Sequence, residues 1–498
     1  MDDRKLRRIV IAGGSRIPFC RANTVYSSQS NKDMLASAIQ GLVDQCGLED
    51  KVIDKVIGGA VTSHSRDWNL AREALLSTRL SPLSSGITLQ QACGTSLQAA
   101  LLAGAEIATG QIECAIVGGS DTASDVPVVF SDRFARRLVD LSRARSLGER
   151  FKAFKGFSFG ELAPQPPRNA EPRTGLSMGQ HCERMAREWQ VTRKEQDELT
   201  LDSHLKAATA WDDGFFDDLV TGHNGVLRDN NVRPDSTLEK LSSLRPAFDR
   251  SSSGTLTAGN STPLTDGAAA VLLCSEDWAR KNDLPVLAYL SEGRTASVDF
   301  VNGDEGLLMA PTVAVAEMLQ RAGLDLQAFD FYEIHEAFAA QVCCTLKAWE
   351  SERYCKERLG LTSAMGSIDR RHMNVKGGSL AVGHPFAATG ARILGTLARI
   401  LEQAGSGRGL VSVCTAGGMG VAAIVERPNG KSSGQRGGSS SKTETARRKK
   451  AAGKKKKSAG KKKTAKAGST GSSSEKPGET GQAPKDTGTS DKPASDSD

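Results

Sequence analysis

Four residues of this chain carry reactive side chains at points where a folded backbone usually meets a ligand: Cys93, His335, His384 and Cys414. Cys93 lies in Leu89-Gln90-Gln91-Ala92-Cys93-Gly94-Thr95-Ser96, between a predicted strand and a predicted helix. A thiol at a helix N-terminus sees the positive end of the macrodipole, and a nearby imidazole favours the thiolate further, so the position suits a nucleophile. A small buried core cysteine is the alternative. Cys414 ends a predicted strand and opens onto Ala416-Gly417-Gly418, a turn whose freed N–H groups can bind a developing oxyanion; a structural strand-end cysteine is the alternative. His335 sits in Glu333-Ile334-His335-Glu336-Ala337-Phe338, at a strand's carboxyl end, where α/β sheets place ligands. A lone histidine there also serves structure alone. His384 follows a glycine-rich approach, Asn374-Val375-Lys376-Gly377-Gly378-Ser379-Leu380-Ala381-Val382-Gly383, and precedes Pro385. Proline suits a first helical turn, which fixes His384 on a turn beside a helix start, a good place for proton transfer. An ordinary Gly-His-Pro turn is the competing reading.

The elements that must bring these residues together read as an α/β frame. Ile9–Ala12 reads as a short buried strand. A helix is expected from about Asp33 to Gln45, with Met34, Leu35, Ala38, Ile39, Leu42 and Val43 at helical spacing and Gly47 as its stop. Leu48-Glu49, Ile53-Asp54 and a strand to Gly58 follow. The same punctuation returns later: a helix from about Val313 to Arg321, Gly323, Leu324-Asp325, Phe329-Asp330 and a strand into Ile334. A duplicated α/β unit is the economical explanation. Gly86–Leu89 and Glu113–Gly118 read as strands around a helix at Thr95–Thr109. The stretch from about Thr122 to Asp249 is richer in charge, carries Ala163-Pro164-Gln165-Pro166-Pro167 and holds a helical run from Ser177 to Trp189, so it reads as an insertion. Gly254–Ser275 has the composition of a packed strand and helix, and Gly409–Cys414 with Gly420–Glu426 reads as a last hairpin.

Length allows two or three domains for the 498 residues. The net charge of +7 is misleading, because residues 431–498 alone hold 18 basic and 7 acidic residues. The body is therefore mildly acidic, which argues against a nucleic-acid-binding catalytic part. The tail, built from Gly, Ser, Lys, Ala and Thr, cannot bury enough apolar surface to fold and is expected to be disordered. Its lysine blocks suit DNA, RNA or another polyanion; a solvated tail is the alternative. Ten cysteines form no Cys-x-x-Cys pair and no zinc-spaced cluster, the pattern of a reduced, cytoplasmic protein. Without an apolar leader or an apolar run of about eighteen residues, neither secretion nor a membrane span is expected.

Taken together and in order, the Cys93 turn, Thr257-Ala258-Gly259-Asn260 with Asp266-Gly267-Ala268-Ala269, Asn374–Gly390 and Cys414–Gly420 resemble the thiolase family from about Arg7 to Arg427. Most thiolases have Asn-Glu-Ala-Phe where this chain has His335-Glu336-Ala337-Phe338. With Asp125-Val126-Pro127, the basic Arg133–Arg145 region and Arg228–Phe248, that form is similar to the β subunit of the fatty-acid oxidation trifunctional complex. The resemblance implies two similar α/β halves, each a mixed five-stranded sheet packed in layers with helices. Residues 1–121 with 250–277 would form the N-terminal half, 122–249 an inserted loop domain, 278–428 the C-terminal half and 429–498 the tail.

The resemblance also implies roles. Cys93 would accept the acyl group, His384 would be its base, and Cys414 would protonate the departing acetyl-CoA carbanion. His335 with His384, through a water, would form one oxyanion hole; the backbone N–H groups of Cys93 and Ala416 would form the other. Arg233 and Thr262 match coenzyme A contacts, and Met178 an acyl-pocket residue. Coenzyme A enters as substrate, and no cofactor or metal is implied. The expected activity is acyl transfer between a 3-ketoacyl-CoA and coenzyme A. The alternatives are biosynthetic condensation of two acetyl-CoA and a non-catalytic scaffold carrying the tail. A homodimer or homotetramer is implied, and a hydratase/dehydrogenase α subunit by analogy. Four departures stand out: Ala416 replaces the usual Gly of Cys-x-Gly, Ala387 and Thr389 alter a Gly-x-Ser-Gly, Thr262 replaces Ser, and Ser177 replaces a histidine of short-chain enzymes.

Overall fold

The computed structural model describes residues 6–429 apart from Arg168 and Asp304; the tail and the polyanion-binding expectation attached to it lie outside the described residues. The described residues form ten strands: β1 (Ile9–Arg16), β2 (Cys20–Arg21), β3 (Lys55–Gly58), β4 (Ser85–Thr88), β5 (Cys114–Asp121), β6 (Thr265–Ser275), β7 (Ala288–Ser297), β8 (Phe331–Ile334), β9 (Gly407–Thr415) and β10 (Met419–Arg427). They run in the order β4-β3-β5-β6-β1-β7-β10-β9-β8, with β2 on β6. The order is a palindrome. On one side β3 pairs parallel with β5, and β5 antiparallel with β6; on the other β8 pairs parallel with β9, and β9 antiparallel with β10. The duplicated punctuation has one physical job in both copies. Asp54 accepts the Glu113 N–H at 2.7 Å, where β5 begins, and Asp330 accepts the Arg408 N–H at 2.8 Å, in β9.

Two details differ from the sequence reading. The two half-sheets are joined, because Ile9, Val10 and Ile11 of β1 pair with Leu290, Tyr289 and Ala288 of β7. The second half has four strands, and its fifth is reduced to a single parallel bridge between Tyr332 and Met373. Asn374 follows with φ 46°, which turns the chain away before a strand can form.

Alternation along the strands shows the layering. Ala115, Val117, Val271, Leu273, Val411, Val413, Val421 and Ala423 pack in one cluster with helices Thr95–Thr109 and Thr389–Ala404. The alternate residues of the first half, such as Ile116, Ala270 and Leu272, pack on helix Asn31–Cys46. Those of the second, such as Leu410, Ala422 and Ile424, pack with helices Ala310–Ala322 and Ala339–Glu350. Both halves thus turn one face to a shared pair of helices and the other to their own outer helices. The shared pair approaches closely at its N-termini: a Cβ on Gly390 would stand 2.4 Å from the Leu97 nitrogen. Helices Asn31–Cys46 and Ala310–Ala322 stop at Gly47 and Gly323, both left-handed, as read from the sequence.

Gly254–Ser275 is not a strand and a helix; β6 takes its last eleven residues, all buried, and the helix starts only at Glu276. Burial on both faces erases the alternation that marks a strand. The 20-residue helix Arg193–Asp212, opened by a Thr192/Glu195 capping box, was not anticipated. Its buried face includes Gln196, Asp197, Thr200, Ser203 and His204, so its apolar period is broken by polar residues with partners inside the protein.

Candidate active site

The shared helices each begin with a one-turn 3-10 segment, Ala92–Gly94 and Phe386–Ala388, and these turns carry Cys93 and the chain just past His384. Ala92 is held at φ 44°, a left-handed conformation that costs a residue with a Cβ ~1–3 kcal/mol. Thr95 Oγ1 secures the turn by donating to the Ala92 carbonyl at 2.7 Å and accepting the Gln91 N–H at 2.8 Å. On the other side Gly383, at φ 103°, swings His384 toward Cys93. His384 Nε2 lies 3.1 Å from Cys93 Sγ, and its Nδ1 lies 2.6 Å from Thr389 Oγ1. With the thiol donating to Nε2, the ring proton sits on Nδ1 and is donated to the threonine hydroxyl. Asp121, at the end of β5, accepts N–H groups from Val61, Thr62 and Ala387, which pins the turn after His384 to the sheet.

Electrostatics here differ from the expectation of a lowered Cys93 pKa. Burial pushes the thiol up to about 12, Asp121 adds to the rise, and hydrogen bonding from the N–H groups of Ala416 and Cys93 itself opposes it. Burial, then the Arg392 charge, pushes His384 down to about 3. Loss of water outweighs the helix terminus, so the resting pair is a neutral thiol beside a neutral imidazole.

His335, at the end of β8, is fully buried, and its ring centroid lies 4.2 Å from that of His384. Its Nδ1 is 2.9 Å from Ser379 Oγ, which also accepts a bond from Arg392 Nη2 at 2.8 Å. With the serine oxygen accepting from the guanidinium and its hydroxyl donating to His335 Nδ1, the imidazole proton sits on Nε2. That Nε2 is buried and has no hydrogen-bond partner among the described residues. Burial, then His384 and Arg392, holds His335 well below the usual histidine range. Arg392 itself is matched by Glu333 at 3.8 Å, whose carboxyl burial raises to about 8.

The Asn374–Pro385 stretch is anchored from behind. The Asn374 amide accepts the Ile334 N–H at 2.9 Å and donates to the Ile334 carbonyl at 2.9 Å and to Glu336 at 2.6 Å. Glu336 accepts in turn from Ser203 Oγ and from the Leu380 N–H. Cys414, at the end of β9, is buried, and burial and then its neighbour Cys93 raise its thiol pKa well above the ordinary value. In the following turn the Gly417 N–H donates to buried Glu171 at 2.7 Å.

Arg233 and Thr262 both line a cavity of about 680 Å³ with Arg21, Lys240, Phe248 and Leu380. Leu380 adjoins Ser379, so the cavity wall ends one residue from the group that holds His335. Thr262 N–H and Oγ1 both donate to the Ala337 carbonyl at 3.1 Å, which fastens the cavity to the loop after His335. Met178 is not part of this wall; it packs against the apolar core that also receives Phe248 and Phe300. Sequence reasoning brought Cys93, His335, His384 and Cys414 forward but gave no role to Ser379, Arg392, Asp121, Glu171 or His204. A lone arginine among Ala391, Ile393, Leu394 and Leu397 was the available sign that Arg392 has an inside partner.

Two family models match the chain: the thiolase N-terminal domain over residues 9–277 and the thiolase C-terminal domain over residues 284–427. The 3-ketoacyl-CoA thiolase of Shewanella baltica is 40% identical over 428 residues, covering 85% of this chain and 97% of the relative. That of Yersinia pestis is 40% identical over 425 residues, covering 84% and 97%. Among solved structures, the Bacillus anthracis acetyl-CoA acetyltransferase superposes with a TM-score of 0.70 at 28% identity, over 85% of this chain and 100% of that one. Human mitochondrial 3-ketoacyl-CoA thiolase in complex with CoA superposes with a TM-score of 0.70 at 26% identity, over 84% and 98%. The paired thiol and imidazole, the mirrored halves and these matches agree: the chain belongs to the thiolase family.

Proposed function

We propose that this protein catalyses thiolysis of 3-ketoacyl-CoA by coenzyme A in fatty-acid β-oxidation, through an acyl group on Cys93. The observation that carries the reading is His384 Nε2 at 3.1 Å from Cys93 Sγ, with Cys414 and His335 beside them. Cys93 Sγ attacks the 3-keto carbon while its proton passes to His384 Nε2, so a free thiolate never has to form in the dry site. The keto oxygen becomes an oxyanion. The C2–C3 bond then breaks, leaving the acyl group on sulfur and an acetyl-CoA enolate, to which Cys414 gives its proton. The thiol of a second coenzyme A then gives its proton to the Cys414 thiolate and attacks the acyl carbonyl carbon; the bond from that carbon to Cys93 Sγ breaks, Cys93 takes its proton back from His384, and shortened acyl-CoA leaves.

Oriented donors are needed at both oxygens. His335 Nε2–H with His384, through a water, suits the thioester enolate; the Cys93 and Ala416 N–H groups suit the tetrahedral oxyanion, each donor contributing ~10²–10³-fold in such sites. Arg233, Lys240 and Arg21 give the cavity the positive charge that coenzyme A phosphates require. Met178 keeps a part in acyl selection in this reading, since it packs against the same apolar core as Phe248, which lines the cavity.

Biosynthetic condensation of two acetyl-CoA is the second reading, favoured by the fold match to the Bacillus anthracis enzyme. Family membership supports a homodimer or homotetramer, and the trifunctional-branch motifs support a hydratase/dehydrogenase partner, both read by sedimentation and co-purification. Mass spectrometry of enzyme quenched with 3-ketoacyl-CoA tests the main reading: an acyl adduct on Cys93 is expected, and its absence alongside retained turnover would sink it. Thiolysis rates across short to long substrates separate the degradative from the biosynthetic reading.

A further inference from the structure

Among the described residues, one group of side chains has donor atoms spaced for a metal ion: Cys93, His335 and His384, all within 4.8 Å of one another. Proximity alone would carry little, since a nucleophile and its base must be close. Three further observations point to a ligand. His335 Nε2 is fully buried and has no hydrogen-bond partner among the described residues. Each imidazole is tied by its other nitrogen to a hydroxyl, His335 Nδ1 to Ser379 Oγ at 2.9 Å and His384 Nδ1 to Thr389 Oγ1 at 2.6 Å. Such outer bonds fix ring orientation and leave the Nε2 atoms for an ion, the arrangement that supports metal-binding histidines. Finally, Cys93 Sγ stands 3.1 Å from His384 Nε2, close enough for both to reach one ion.

We propose that Cys93, His335 and His384, closed by a water, form a binding site for a thiophilic divalent ion such as Zn²⁺, and that its occupancy switches the enzyme off. Two imidazole nitrogens and one sulfur are a donor set suited to Zn²⁺, with bonds of about 2.0–2.1 Å to nitrogen and about 2.3 Å to sulfur. Tetrahedral packing of such bonds needs donors about 3.3–3.8 Å apart, so the trio closes by about 1 Å. The Cys93–His384 pair, at 3.1 Å, is already that close. On binding, the Cys93 thiol loses its proton to solvent, and the His335 proton moves from Nε2 to Nδ1, where Ser379 Oγ accepts it. One proton is released per ion. An acyl group on Cys93 occupies the same sulfur, so turnover and metal exclude each other.

The test is a Co²⁺ titration of the full-length, metal-stripped protein without coenzyme A, whose thiol would itself bind the ion. One Co²⁺ per chain is expected, with a sulfur-to-cobalt charge-transfer band that Zn²⁺ displaces. The band should vanish in Cys93→Ala and in the gentler Cys93→Ser, and affinity should fall at least ~10-fold in His335→Ala. Circular dichroism of each variant separates loss of the site from loss of the fold. These readouts need no turnover, so they stand apart from the thiolysis test. A band that persists in folded Cys93→Ala, or affinity unchanged in His335→Ala, would overturn the proposal.

Discussion

Replacing Ser379 by alanine removes one oxygen and breaks two buried bonds at once. The hydroxyl is fully buried, holds His335 Nδ1 at 2.9 Å and accepts from Arg392 Nη2 at 2.8 Å. Alanine leaves an imidazole nitrogen and a guanidinium N–H facing a methyl group. Each orphaned polar group costs ~1–3 kcal/mol, and more when charged, so stability should fall by ~2–5 kcal/mol. The kinetic effect has a different source. His335 can then place its proton on either nitrogen and turn in its slot, so the Nε2 donor is no longer fixed. Loss of a supporting bond of this kind lowers activity ~10–100-fold, and full loss of an oxyanion donor sets a ceiling of ~10²–10³-fold. The fall should appear in kcat, because the cavity proposed for coenzyme A lies elsewhere, around Arg233. The decisive assay is a cycle of Ser379→Ala, His335→Ala and the double variant, with thiolysis and urea unfolding measured on all three. If the hydroxyl acts through His335, adding Ser379→Ala to His335→Ala changes kcat by less than about threefold. A further ~10-fold drop in the double variant would refute the relay and make Ser379 a packing residue or an independent contact.

Three other outcomes follow from the geometry. His204 accepts the Arg233 N–H at 3.1 Å, and burial, then the Arg233 charge, lowers its pKa to about 4. The folded state therefore binds fewer protons than the unfolded one between pH 6.5 and 4, and stability should fall as pH drops through that window. Its slope approaches ~1.4 kcal/mol per pH unit for this one site, and urea melts of His204→Gln should show a shallower slope. Arg16 and Asp229 form a buried bidentate pair at 2.7 and 2.8 Å, with the Phe19 N–H and Trp211 Nε1 also donating to the carboxylate. Asp229→Ala should cost ~3–5 kcal/mol, read as a lowered denaturant midpoint, whereas a change below ~1 kcal/mol would mean that water reaches Arg16. Arg233→Ala should raise KM for coenzyme A ~10–100-fold with kcat little changed, the loss expected of a charge-assisted contact.

Much of the frame was legible because glycine and repeated punctuation mark it locally. Gly47 and Gly323 end their helices for a reason that no other element alters, and Asp54 and Asp330 announced a shared job before their N–H partners were known. The site was legible residue by residue but not as an assembly, because Cys93 and His384 are 291 positions apart and only pairing of the two halves brings them together. Thr389 read as a mere departure from a motif; in the fold it holds His384 Nδ1. Arg392 and Ser379 escaped notice because a buried charge on an apolar helix has meaning only through its partners. The pKa of Cys93 went the other way for the same reason: a helix N-terminus is visible in sequence, whereas exclusion of water is a property of everything packed around it. The helix Arg193–Asp212 was lost because its inward polar residues, Ser203 and His204 among them, are engaged by other segments.

The mirrored order of the strands bears on how such a catalyst could arise. Nucleophile and base stand on equivalent turns, each ahead of one of the two central helices, one turn from each copy of the repeat. Before the copies were joined, an ancestral half-length chain would have met its twin about this axis with two identical turns face to face. Fusion would have freed them to diverge, one toward sulfur and the other toward imidazole. A present-day chain divided between β6 and β7 should accordingly regain activity only when both pieces are made together, since each alone leaves one wall of the pocket unbuilt.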